Sequence, residues 1–215
     1  RDEQTALQDT PVKLLPWSEL ALQQKLGEGA SGVIYQATWQ AENSTPVAVK
    51  LFKGELTSDG LPVSEMAACM RAGLHPNLIT VLGKIEGHPE NANGLVMSLV
   101  DASYRNLGGP PSFASCTRDV YADDLRLSPA ELLNIASGIA SVAQQLHAKG
   151  IMHGDLYAHN ILLGQDGHAL LGDFGAACFK PADVAHESLS KRSRCVPLVI
   201  YWKNCLNAAR SRRQH

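Results

Sequence analysis

The chain lacks any cysteine pair at metal-binding spacing. Cys69, Cys116, Cys178, Cys195 and Cys205 are odd in number and scattered, with no CxxC among them. That argues against a cysteine metal site and against a disulfide framework, and a reduced, cytoplasmic setting fits best. No apolar run approaches the roughly 18 residues a membrane-spanning helix needs, and no signal peptide precedes the first polar stretch. Charge of one sign is also missing: 19 Lys and Arg face 21 Asp and Glu, a net charge of −2. This balance gives no reason to propose a nucleic acid or an anionic membrane as partner. The first residue is Arg1 rather than Met, so the chain reads as an excerpt from a longer protein. Its 215 residues can bury a substantial core, as one domain or as two lobes.

What is present centres on Ile151 to Gly175, IMHGDLYAHNILLGQDGHALLGDFG. Two apolar runs, Ile161–Leu163 and Ala169–Leu171, flank Gly164-Gln165-Asp166-Gly167, a turn composition, which predicts a β-hairpin. A hairpin brings the residues before its first strand next to those after its second, so Asp155 and Asn160 come beside Asp173. Three oxygen-bearing side chains at one end of a ribbon suit a hard cation such as magnesium, and Asp155 can instead accept a proton. Each of the three taken alone is an ordinary turn residue beside glycine. Together, HGDLYAHN and the following Asp173-Phe174-Gly175 resemble the catalytic loop and metal-binding motif of the protein kinase superfamily. The resemblance implies Asp155 as catalytic base, with Asn160 and Asp173 holding Mg2+.

Upstream, Leu20, Leu22 and Leu26 lead into Gly27-Glu28-Gly29-Ala30-Ser31-Gly32-Val33, and Ile34 to Trp39 reads as a strand. Glycines let the backbone approach a ligand and turn amide N–H groups toward phosphate oxygens. A dinucleotide site wants such a motif between a strand and a helix. Here β-branched and aromatic residues follow it, the strand–loop–strand order of kinases. Val47-Ala48-Val49-Lys50 resembles the kinase strand whose lysine contacts the ATP phosphates. Ser64 to Ala72 has good helix formers with Ser64 as N-cap candidate, and it runs into Leu74-His75-Pro76-Asn77-Leu78, similar to the kinase turn after helix C. Glu65 then stands at the matching helix position, and a Lys50–Glu65 ion pair is expected.

Gly94 to Val100 reads as a buried strand. By resemblance Met97 is the gatekeeper, the Ser98 carbonyl and Val100 amide face the adenine, and Val33, Ala48 and Leu162 pack on its ring. Asp101 to Leu127 is rich in Gly, Pro, Ser and Asp, and is a hinge plus insertion with no assignable role. Ser128-Pro129-Ala130-Glu131 is a capping box with proline at the first helical position. Leu132, Leu133, Ile135, Ala136, Ile139, Val142, Ala143 and Leu146 follow at helical spacing until Gly150.

The resemblance therefore implies an α+β, two-lobed fold over residues 17–178, after a linker or entry segment at 1–16. A small antiparallel β lobe with one helix (about 17–97) precedes a mainly helical large lobe from about 101. It implies an ATP-dependent protein kinase with ATP and Mg2+ as cofactors, acting on serine or threonine, less readily tyrosine, of an unidentified protein substrate. Three departures keep other readings open. Gly154 replaces the arginine that in many kinases receives a phosphorylated activation loop, and Tyr157 stands where serine/threonine kinases carry a lysine. His153-Gly154-Asp155 is also what aminoglycoside-type small-molecule kinases carry. A small-molecule phosphotransferase and a non-catalytic nucleotide-binding module or scaffold thus remain beside the protein kinase. Finally, no Ala-Pro-Glu follows Gly175, and the charge balance reverses. Residues 1–178 hold 11 Lys and Arg against 19 Asp and Glu, and residues 179–215 hold 8 against 2. That basic tail is expected to lie outside the family-like pattern, through truncation or a shifted frame.

Overall fold

A computed structural model describes residues 13–29, 31–54, 62–111, 119–172 and 174–179. The chain divides into two compact units, one formed by residues up to His75 with Ile79–Asp101 and Phe174–Phe179, the other by Pro76–Leu78 with Ala102–Asp173 and the remainder.

The first unit is built on a six-stranded sheet in the order β1-β5-β6-β4-β3-β2. The strands are β1 (Leu14–Pro16), β2 (Leu20–Glu28), β3 (Gly32–Trp39), β4 (Thr45–Phe52), β5 (Val81–Glu86) and β6 (Gly94–Ser98). Neighbours run antiparallel, except that β1 lies parallel to β5. The end of the stretch expected to be a linker or entry segment is thus an edge strand, and it departs from an all-antiparallel lobe. Directly opposed residues share a face and neighbours alternate, so the register sorts the side chains. Ala37, Trp39, Val47, Val49 and Val96 point one way and close a core with Leu15, Leu20 and Ile85. The other face carries Ala48, Lys50, Leu95 and Met97, where Phe52, Leu95 and Met66 form a second cluster.

Met66 belongs to helix α1 (Pro62–Ala72). The expected cap, Ser64, instead lies inside the first turn, because Pro62 starts the helix two residues earlier; proline's fixed φ and missing N–H suit that first position. Each fully buried apolar side chain of this kind contributes roughly 1.5–3 kcal/mol.

The second unit holds β7 (Arg105–Asn106), α2 (Pro129–Ala148), β8 (Ile151–Met152), β9 (Ile161–Leu163) and β10 (Ala169–Leu171). The capping box at its helix is complete: Ser128 Oγ accepts from the Glu131 N–H at 3.2 Å, and Glu131 Oε2 accepts from the Ser128 N–H at 2.6 Å. Ile135, Ala136, Ile139, Val142, Ala143 and Leu146 are buried. Leu133, expected on that apolar stripe, is 63% exposed, because it stands two positions before Ile135 and so points to another side of the helix. Gly150 at φ +73° ends α2, a conformation that favours glycine.

The hairpin forms as expected. β9 and β10 pair antiparallel, Ile161 opposite Leu171, around a single 3-10 turn at Gln165–Gly167. Asn77 ties the preceding turn to it: Asn77 O accepts from the Leu171 N–H at 2.8 Å and Asn77 Nδ2 donates to Ala169 O at 2.9 Å. Asn77 also fits against Gly138, where a Cβ would stand 2.5 Å from Asn77 Nδ2. The helix, the His-Pro-Asn-Leu turn and the hairpin are thereby fixed to one another. No helix among the described residues is long and apolar enough to cross a membrane.

Candidate active site

In the first unit the expected ion pair is present. Lys50 Nζ of β4 bonds Glu65 Oε1 of α1, with side-chain exposures of 12% and 2%. Strand β4 puts Lys50 on the face that α1 covers, and the first turn of the helix delivers Glu65 there. The ammonium also lies 5.1 Å from the Phe52 ring centroid. The second carboxylate oxygen, Glu65 Oε2, is buried with no hydrogen-bond partner among the described residues. The pair is thus half satisfied, and polar atoms in this condition are costly unless another donor arrives.

The glycine loop divides by what each glycine meets. At Gly27 and Gly29 nothing lies within 4 Å of where a Cβ would stand, and neither has positive φ. Glycine at these two positions is not demanded by the fold. At Gly32 a Cβ would collide with the Leu51 carbonyl oxygen and lie 3.2 Å from Phe52 Cα, so glycine there serves the close approach of β3 to β4. The Gly29 N–H is already donated to Gly32 O at 2.9 Å, and Ser31 O accepts from the Lys53 N–H at 2.8 Å. Glu28 takes Lys25 on one carboxylate oxygen and Lys53 on the other, the latter at 2.8 Å. These contacts, Lys25 first, hold its carboxyl down to about 2.

Of the residues expected on the adenine, Ala48 is buried and lies opposite Met97, on the face that bears Lys50. Val33 does not share that face: it pairs with Leu51 and so points to the opposite side of the sheet. Ile34, opposite Lys50, is the β3 residue that does. The glycine pattern itself could have shown this, since its apolar position falls two residues after the third glycine, at Ile34. The Ser98 N–H donates to Thr80 O at 2.9 Å, and Val100 follows the end of β6. In the second unit, Leu162 is half-buried between fully buried Ile161 and Leu163, so it presents to the opposite face of β9.

Also in the second unit, the catalytic loop is folded by its own polar atoms. His153, buried, contacts Gly172 O through Nε2 at 2.9 Å and accepts the Asp155 N–H on Nδ1 at 3.3 Å. Asn160 O accepts the Gly172 N–H at 3.0 Å. Both contacts pin the residue preceding Asp173, which itself lies outside the described residues, as does Ala30. Asn160 Nδ2 donates to Asp155 O at 3.0 Å and to Asp155 Oδ2 at 2.7 Å. Both partners are oxygens, so the amide nitrogen must face them, which leaves Asn160 Oδ1 as an oxygen donor for a cation. A hard oxygen of this kind fits magnesium.

Sequence reasoning missed two groups. His159 Nε2 lies 3.2 Å from Asp155 Oδ2, and His159 Nδ1 lies 3.3 Å from Asp119 Oδ1. Tyr157 is buried and its ring stacks on His159, 5.8 Å between centroids and 8° between planes. His159 stood in view beside Asn160. Asp119 lies 40 residues away, in a stretch without periodicity, and carried no signal.

Comparison with known sequences gives the class. A sequence model of the protein tyrosine and serine/threonine kinase family matches residues 20–203. The chain belongs to the protein kinase family. The match runs past Cys178, where the sequence alone suggested that the family-like pattern ends. Among its relatives, fibroblast growth factor receptor 1 of Pleurodeles waltl is 28% identical over 198 residues, covering 85% of this chain and 23% of the receptor. The probable serine/threonine-protein kinase gdt4 of Dictyostelium discoideum is 30% identical over 149 residues, 69% of this chain and 8% of that protein. The tyrosine-protein kinase transforming protein Abl of Abelson murine leukemia virus is 30% identical over 169 residues, 77% of this chain and 20% of that protein. The chain thus spans less than a quarter of each of these relatives.

Proposed function

We propose that the chain transfers the γ-phosphoryl group of ATP to a hydroxyl of a protein substrate. Serine and threonine come ahead of tyrosine on abundance alone, since the relatives include kinases named for both. The buried Lys50–Glu65 pair carries the reading. A lysine held on a covered sheet face by a carboxylate on the adjoining helix is a costly arrangement for stability alone, and it suits a cation aimed at the α- and β-phosphates. Gly27 and Gly29, which the fold does not require, leave room for a nucleotide to approach the backbone. Ala48, Met97, Ser98, Val100 and Leu162 are proposed to line the adenine, with Ile34 in place of Val33.

In the second unit Asp155 accepts the hydroxyl proton of the acceptor as it attacks in line. Asn160 through Oδ1, with Asp173, would hold magnesium, which when bound neutralises charge developing on the phosphoryl oxygens. Lys50 and the glycine loop orient the phosphates, and orientation of this kind supplies much of the rate enhancement of such transfers. A cytoplasmic setting is proposed from the cysteine usage.

One observation favours a second reading. Tyr157, in the place of a lysine, is buried and stacked on His159, so it brings no charge to a phosphate. A non-catalytic nucleotide-binding module would look the same there. Binding of Mg-ATP followed by transfer of γ-label decides, run beside an Asp173→Ala control. Transfer to protein supports the proposal. Binding without transfer supports the module, and transfer only to small hydroxylated compounds supports a small-molecule phosphotransferase.

A further inference from the structure

We infer that Asp119 and His159 are positioning residues that orient the Asp155 carboxylate to take the proton of the attacking acceptor hydroxyl. This deepens the proposed phosphotransfer and rests on it.

The chain of contacts runs in one direction. Asp119 is buried, 8% exposed, and its carboxylate oxygen Oδ1 lies 3.3 Å from His159 Nδ1 and 3.4 Å from the His159 backbone N–H. Asp119 is therefore gripped at both the ring and the backbone of the same residue. His159 Nε2 then reaches Asp155 Oδ2 at 3.2 Å, an oxygen that already accepts from Asn160 at 2.7 Å. With Oδ2 bound from two sides, the carboxylate is held in one rotation, and Oδ1 is the oxygen presented to an acceptor hydroxyl. Both ring nitrogens face carboxylate oxygens, which only accept, so the two contacts are hydrogen bonds together when the imidazole carries a proton on each nitrogen. Hydrogen bonds of 3.2–3.4 Å are long for a finished network, as is common before substrate binds.

Two features hold the series in place. The segment bearing Asp119 is anchored to the second unit by paired bonds between Gly109 and Val120, N–H to O at 2.6 Å in one direction and 3.3 Å in the other. Tyr157 walls one side of the imidazole by stacking. The replacement of lysine by tyrosine, a departure from the kinase pattern, thus has a local purpose: it supports the ring that orients the base.

The test measures kcat and KM of the full chain with γ-labelled Mg-ATP and a degenerate Ser/Thr/Tyr peptide library. His159→Phe keeps a flat ring against Tyr157 but removes both nitrogens. His159→Gln restores a side-chain N–H toward Asp155. Near-UV circular dichroism confirms folding of each variant. His159→Phe and Asp119→Ala are each expected to lower kcat about tenfold or more, with KM for ATP within about twofold of the parent. His159→Gln should recover part of the loss. Asp119→Ala should cost less in the His159→Phe background than in the parent, since the imidazole contact is already gone and only the bond to the residue-159 backbone N–H is left to lose. A kcat for His159→Phe within about twofold of the parent overturns the inference, as do additive losses in the double variant or a loss confined to KM. If the parent chain transfers no label, the phosphotransfer reading fails separately. Crystal structures of the parent and His159→Phe then decide this inference. A rotated Asp155 carboxylate in the variant supports it, and an unchanged one overturns it.

Discussion

Lys50 and Glu65, 15 residues apart in sequence, meet as an ion pair, Glu65 buried and Lys50 partly so, in which one carboxylate oxygen is bound and the other has no hydrogen-bond partner among the described residues. Removing Lys50 strands the buried Glu65 carboxylate, at a cost of about 3–5 kcal/mol. Replacing both by apolar residues, Lys50→Met with Glu65→Leu, removes that problem. The double variant is expected to unfold in urea within about 1 kcal/mol of the parent and yet to transfer no label. Retained transfer would show that the pair serves the fold only.

The glycine loop offers a cleaner separation of folding from binding. Gly27→Ala and Gly29→Ala meet no obstacle in the fold, so their melting temperatures should match the parent while affinity for Mg-ATP falls. Gly32→Ala must push against the backbone of β4 and should lose stability by about 1–3 kcal/mol. Equal affinity losses and equal melting temperatures across all three would contradict the assignment.

Gly154 sits at φ +83°, a region that costs other residues roughly 1–2 kcal/mol. The arginine common at this place in kinases would therefore carry a backbone cost here. Gly154→Ala and Gly154→Arg should be destabilised alike, measured by chemical denaturation. A stable Gly154→Arg protein would refute the backbone explanation.

Glu28 makes an acid-sensitive contribution. Lys25 and Lys53 lower its carboxyl from 4.5 to about 2 in the folded chain. The stabilisation is complete above the unfolded value and is lost as pH falls from 4.5 through about 2. The side chain is solvent-exposed, so salt screens the effect. The stability difference between the parent and Glu28→Gln should shrink on acidification across that window and on adding salt. A difference constant in pH would exclude this account.

The features legible in the sequence were those written in adjacent residues. The Ser128–Glu131 capping box, the turn between β9 and β10 and the helix carrying Glu65 all depend on short-range patterns. Composition therefore announced them, and family resemblance then joined Lys50 to Glu65. What escaped was set by tertiary placement. Pro62 rather than Ser64 begins α1, and strand register turns Val33 away from Ala48 while bringing Ile34 round. Leu133 falls off the buried stripe although it is as apolar as Leu146. Asp119 reaches His159 from a stretch without periodicity, and no local rule connects residues 40 positions apart.

The central claim is that Asp155 is the base of a phosphoryl transfer. The direct test compares γ-label transfer by the parent and by Asp155→Asn, with Mg-ATP affinity measured on both. The account expects label on protein from the parent, a loss of about 10²-fold or more in the variant, and equal nucleotide affinity. Transfer by Asp155→Asn at the parental rate would contradict it.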